Sequence, residues 1–191
     1  DAGIGDWTQE GGDDGDWSLN SGTTPSGSTG PSDDITGGGN YFYIEASSNG
    51  TTGEIGANAS AILISPCFVL SNPDYNTFTF SHHMYGANTG SVNVDISTDN
   101  GTNWTNVFTQ SGDLGDTWNT ESINLNSYIG ETVKFRITGT TGGGFASDIA
   151  IDDMRLGSPD YCSSQATDTN LYLGIAGVDF NTINNTSSAQ L

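Results

Sequence analysis

Positive charge is almost missing from this sequence. Lys and Arg total 3 against 23 Asp and Glu, a formal net charge of -20 over 191 residues. A field of that sign repels phosphate backbones and anionic membranes, so neither nucleic acid nor a lipid surface is an expected partner. No run of 18 apolar residues occurs, which excludes a membrane-crossing helix. Cysteine is scarce. Cys67 and Cys162 fit one disulfide or two thiols with partners elsewhere, and spacing does not choose between them. The opening Asp1-Ala2-Gly3-Ile4 has no basic region or apolar core, so this stretch is not a signal peptide. A 3.6-residue apolar period is absent as well, and with it any predicted helix. Cys/His metal spacings, a phosphate loop and a nucleophile elbow are also lacking, which leaves catalysis without a recognisable starting point.

What remains is a chain of short alternating stretches rich in Gly, Asn, Thr and Ser. Strands are predicted over residues 41–46, 61–64, 77–85, 91–97, 103–109, 117–123, 133–138 and 148–156. Asp99-Asn100-Gly101 reads as a hairpin turn, since Asn-Gly tolerates positive φ. Short strands at regular spacing predict an all-β, antiparallel jelly-roll β-sandwich. Each sheet would have one packed and one wet face. Residues 21–39 form a predicted long loop, and Trp7, Trp17 and Leu19 are predicted anchors of the early chain.

The last strand breaks its own pattern. Ile149 and Ile151 share one face, while Met154 and Leu156 continue the parity of Asp152. A parity change at Asp152-Asp153 predicts a β-bulge. Two acids in an otherwise apolar strand need satisfying, and a hard cation is one remedy. The adjacent His82 and His83 should point to opposite faces, with His82 on the side of Phe78, Phe80 and Met84. A zinc site there is disfavoured. Asp95 is a possible polar partner for His83. Trp104, Trp118, Tyr85 and Phe145 flank turn-rich segments and are candidate ligand-binding aromatics, with Phe145 at a Gly-rich loop tip.

Several landmarks in order resemble the MAM domain family. They are Asp16-Trp17, residues 29–36, Gly39-Asn40-Tyr41-Phe42-Tyr43-Ile44-Glu45-Ala46-Ser47, residues 61–66, residues 78–86 and Asp148-Ile149-Ala150-Ile151-Asp152-Asp153. Animal members usually carry four cysteines, and this stretch has only Cys67, which points to a bacterial relative. Residues 158–191 resemble the start of the GEVED modules that follow such domains in secreted Bacteroidetes proteins. The expected division is therefore 1–157 as the MAM-like domain and 158–191 as a linker with a partial second module. The resemblance implies a structural calcium ion near the closing strand. Its candidate ligands are Asp14, Asp16, Asp34, Asp152 and Asp153, with Asp33 beside them.

The function implied is noncatalytic recognition or adhesion within a secreted or cell-surface multidomain protein. The partner would be a glycan (polysaccharide) or a protein, alongside neighbouring domains of the same polypeptide. The alternative is a structural spacer between domains of a secreted metalloprotease or polysaccharide-degrading enzyme.

Overall fold

The computed structural model describes residues 6–71 and 76–157, together with the backbone of a short strand at 171–172. Cys162 and the second-module reading of 158–191 otherwise lie outside the described residues.

Two antiparallel sheets form a sandwich. Sheet A has the order β1 (Thr8–Gln9), β4 (Ser60–Ile64), β10 (Thr132–Thr140), β7 (Ser91–Ser97) and β8 (Thr105–Ser111), with β5 (Phe68–Val69) also on β10. Sheet B has the order β2 (Ser18–Asn20), β3 (Tyr41–Ile44), β11 (Asp148–Gly157), β6 (Thr77–Tyr85) and β9 (Trp118–Asn124). The short β12 (Leu171–Tyr172) adds to the C-terminal part of β11. The chain crosses repeatedly from one sheet to the other, and the alternating pattern explains why. Each strand has one apolar face that must be covered by the opposite sheet. The eight predicted strands are all present, with their ends shifted by a few residues. The two-residue strands β1 and β5 are too short to leave a periodic signal.

The core lies between the sheets. Phe78, Phe80 and Met84 of β6 meet Phe135 and Ile137 of β10 and Val92, Val94 and Ile96 of β7. Phe78 and Phe135 stack across the gap with ring centroids 4.3 Å apart. Trp7 and Trp17 are buried as expected, and the Trp17 indole N–H donates to the Ala61 carbonyl (3.0 Å). His82 shares the inner face and lies against Phe80 and Phe108.

The predicted bulge is real. Asp152 pairs with Ser81 and Arg155 with Thr79, so Asp153 and Met154 face one residue of β6. Asp153 takes φ 51°, which absorbs the extra residue. The predicted hairpin turn also forms between β7 and β8, with positive φ at Asn100 and Gly101.

Candidate functional site

The two outer sheet faces differ sharply. No strand occurs in 21–40, yet this loop lies across the outer face of sheet B. Side chains on that face hold it down. The Tyr41 hydroxyl donates to the Gly22 carbonyl (2.6 Å), and the Trp118 indole N–H donates to the Asp33 carbonyl (3.1 Å). The Thr29 hydroxyl donates to the Tyr85 carbonyl and accepts from the Asp148 amide. Tyr41, Tyr43, Trp118, His83 and Tyr85 form a chain of edge-to-face ring contacts beneath the loop.

Sealing this face buries acids that the alternation alone would leave wet. Asp148 is 0% exposed and Glu45 is 1% exposed. They are cross-strand neighbours, one step beyond the Ile149–Ile44 pair. Neither carboxylate oxygen of Asp148 receives a hydrogen bond, and neither does Oε2 of Glu45. The Thr24 hydroxyl lies close by but donates to the Thr29 carbonyl (3.2 Å). The Ser26 hydroxyl donates to Oε1 of Glu45. Burial pushes the Asp148 carboxyl up to about 7, against the lowering effect of the Thr24 hydroxyl and with the Glu45 charge adding to the rise. Three carboxylate oxygens without donors, on facing strands, call for a proton or a cation.

Glu45 and Asp148 are not among the acids expected from the sequence to hold an ion. The available signal was a single carboxylate at the end of each of two apolar runs, Tyr41-Phe42-Tyr43-Ile44-Glu45 and Asp148-Ile149-Ala150-Ile151. Only the register of β3 on β11 makes them neighbours.

The five acids singled out from the sequence do not gather at one point. Asp34, Asp152 and Asp153 belong to the loop and the bulge. Asp152 accepts from the Ile35 amide (3.1 Å) through Oδ2 and from the Asp153 amide (2.7 Å) through Oδ1. This ties the loop to β11 directly. Burial raises the Asp152 carboxyl, and the Asp34 and Asp153 charges push the same way. Asp34 accepts from the Thr36 hydroxyl (2.5 Å) and the Gly39 amide (2.9 Å), which hold its carboxyl below its usual range. Asp153 pairs with Arg155 (2.5 Å). Asp14 lies elsewhere, on the strand edge of β4, where it accepts from the Ser60 amide (2.9 Å). Asp16 is exposed near the same edge. Among the described residues, no group of three or more His, Cys, Asp or Glu is placed to hold a metal ion.

The histidines point to opposite faces as expected. Burial lowers both, against the opposing pull of Glu121 on His82 and Asp116 on His83. The suggested Asp95–His83 pair does not form. Asp95 sits in sheet A and His83 in sheet B, and His83 instead meets Asp116 (3.2 Å).

Among the described residues, no loop of that kind covers the outer face of sheet A. Arg136 of β10 donates twice to Asp95 Oδ2 of β7, from Nε (3.0 Å) and Nη2 (2.8 Å). Asp95 Oδ1 accepts from the Asn106 amide of β8 (3.0 Å). The Thr109 hydroxyl donates to Asn93 Oδ1 (2.7 Å). The guanidinium carbon lies 4.7 Å from the centre of the partly buried Trp104 ring. Trp104 follows a hairpin whose own polar groups are satisfied. Ser97 Oγ accepts from the Gly101 amide, and Asp99 accepts from the backbone and side-chain amides of Asn103.

The four candidate ligand-binding aromatics therefore divide. Trp118 and Tyr85 serve the sealed face. Phe145 is 63% exposed on the loop before β11. Trp104 alone of the four belongs to the open face of sheet A.

The arrangement defines a two-sheet antiparallel β-sandwich module with one covered and one open sheet. The chain belongs to the MAM domain family (meprin/A5/mu), whose model matches residues 1–163. It is 32% identical over 186 residues to MAM domain-containing glycosylphosphatidylinositol anchor protein 2 of Mus musculus, covering 90% of this chain and 19% of that protein. The corresponding protein 1 of Rattus norvegicus is 32% identical over 178 residues, covering 90% of this chain and 18% of that protein. The chain thus spans about a fifth of the curated relatives it matches. Among solved structures, the K1 cleaved adhesin domain of Lys-gingipain from Porphyromonas gingivalis superposes with a TM-score of 0.58 at 19% identity. That match covers 82% of this chain and 94% of that one. It supports the fold.

Proposed function

We propose that this chain is a noncatalytic recognition module of a secreted or cell-surface protein, and that it binds glycan. The observation that carries the reading is the inequality of the two sheets. One outer face is sealed by a loop of the same domain, and the other, among the described residues, presents an ordered polar network around a partly buried tryptophan. Affinity electrophoresis through gels containing polysaccharides tests it. The expected result is retardation by at least one polymer, with no oligosaccharide released on prolonged incubation. Unretarded migration in every polymer, or depolymerisation by the isolated chain, contradicts the reading.

A calcium ion fits the sealed face. Asp148 and Glu45 would hold it, because their unpartnered oxygens are buried there and hard oxygen donors are what calcium takes. The ion would supply charge compensation and fasten loop 21–40 to β11 and β3. Its ligands would thus differ from the acids first singled out, of which Asp34 and Asp152 already satisfy backbone amides of the loop. Melting with calcium and with chelator checks this. At a hundredfold excess over Kd the ion adds about 2.7 kcal/mol.

A second reading has one observation in its favour. Backbone from beyond the domain adds to β11 as β12, as a spacer packed on its neighbour would require. Such a spacer would leave the open face of sheet A without a ligand.

A further inference from the structure

We infer that the outer face of sheet A is a binding site for an uncharged pyranose polysaccharide, with Trp104 as the stacking surface and Arg136, Asn93 and Thr109 as the hydrogen-bonding groups. The inference rests on the reading of the chain as a glycan-binding module and assigns that reading a place and a ligand class.

The groups left over on this face match a sugar. Arg136 spends Nε and Nη2 on Asp95 and keeps Nη1. Asn93 accepts from Thr109 through Oδ1 and keeps both hydrogens of Nδ2. The Thr109 hydroxyl donates and keeps lone pairs to accept. Donors and an acceptor are therefore spread over adjacent strands β10, β7 and β8. Neighbouring hydroxyls of a pyranose offer the complementary set. The C–H face of the ring supplies the apolar surface that an indole takes.

The site is also stiff. Asp95 is 8% exposed and bridges Arg136 to Asn106, so the guanidinium is fixed before any ligand arrives. The guanidinium in turn lies against Trp104. The hairpin before Trp104 is tied by Ser97 and Asp99. Little side-chain freedom is left to lose, and that lowers the entropic cost of binding.

Charge selects among ligands. Lys134 and Arg136 are two of the chain's three basic residues, and Asp95 already offsets one of them. Around them stands a chain of net charge -20. A polyuronate or sulfated polymer laid along this face meets that field over its whole length. A second copy of the chain meets it too. A neutral polymer does not.

The full chain and three variants, Trp104→Ala, Asn93→Ala and Phe145→Ala, are run through gels holding neutral polymers (galactan, mannan, mixed-linkage β-glucan) or anionic ones (polygalacturonate, carrageenan). Expected is retardation of the parent by a neutral polymer. W104A should weaken it at least about tenfold and N93A severalfold, while F145A is unchanged. The far-UV spectrum and melting temperature of N93A, a surface change, guard against misreading a folding defect in W104A. A parent retarded by neutral polymer with W104A and N93A equally retarded overturns this site and leaves the glycan reading standing. Retardation confined to anionic polymers overturns the ligand class. A parent that no polymer retards overturns the glycan reading itself, and the site falls with it. Concentration-dependent self-association lost in W104A would make the face a contact between copies and overturn the inference.

Discussion

A carboxylate taken fully out of water needs a partner, and Asp148 has only the Thr24 hydroxyl beside it, which donates to the Thr29 carbonyl. Its carboxyl stands at about 7 in the fold, against an ordinary value near 3.8. The fold therefore favours the neutral acid. The stability that goes with it is complete below about pH 4 and is lost as pH rises through 7. With chelator at pH 8, Asp148→Asn should melt higher than the parent, by a stabilisation on the order of 4 kcal/mol. His82 and His83 act in the other direction. Burial depresses both, so their contribution is present above about pH 6.5 and is lost on acidification. In the parent the two trends oppose each other between pH 7 and pH 5. In D148N the Asp148 share of that opposition is gone and only the share of the raised Asp152 carboxyl is left against the histidines. Its melting temperature should fall more steeply over that interval than the parent's, and equal slopes would contradict the assignment. Gly139 gives a simpler case. A Cβ there would stand 2.5 Å from the Trp17 ring and 2.7 Å from Ile44, inside the sandwich. Gly139→Ala should cost about 1–3 kcal/mol in urea unfolding, with no effect on any surface site.

At the scale of the element, β11 is the strand that the sealed face of sheet B and its loop depend on. Its bulge rests on Asp153 at φ 51°, a conformation open to Asp, Asn and Gly and strained for a branched side chain. Asp153→Val should destabilise by about 2 kcal/mol, whereas Asp153→Asn should lose only the partly buried pair with Arg155, about 1 kcal/mol. A valine tolerated as well as asparagine in urea titrations would count against a strained bulge. The bulge was legible in the sequence because strand parity is exact: Ile149 and Ile151 fix one face, and Met154 and Leu156 cannot share it without an extra residue. His82 on the Phe80 face and Lys134 and Arg136 on the outer face follow from the same period. The sealed face was not legible. The hydrogen bond from the Asp148 amide to Thr29 joins residues 119 apart in sequence, and the loop that makes it has no period. Alternation placed Asp148 on an outer face, and outer was equated with wet. The acids picked out from the chain were therefore the conspicuous pairs, while the isolated Glu45 and Asp148 were the ones buried together.

At the scale of the molecule, the account comes down to two unlike sheets. Sheet B takes a loop of its own domain across its outer side, over two opposed carboxylates. Sheet A has no covering loop on its outer side among the described residues, and two of the three basic residues of a strongly acidic chain, Lys134 and Arg136, lie on it. The fold class was readable because two-residue periodicity dominates the chain. Which sheet is covered depends on long-range docking, and no local pattern announces it. The family match then sets this sandwich beside MAM domain-containing glycosylphosphatidylinositol anchor proteins, of which it spans about a fifth. Removing the charge compensation from sheet B should loosen the loop while leaving the Trp104 face intact. Chelator should therefore lower melting temperature without abolishing retardation by a neutral polymer.

Calcium titrated into the chelated chain and followed by calorimetry is the most direct check. The parent should show one site, D148N should show none, and Asp152→Asn should keep it. Binding that survives in D148N and disappears in D152N would contradict the account and return the ion to the bulge.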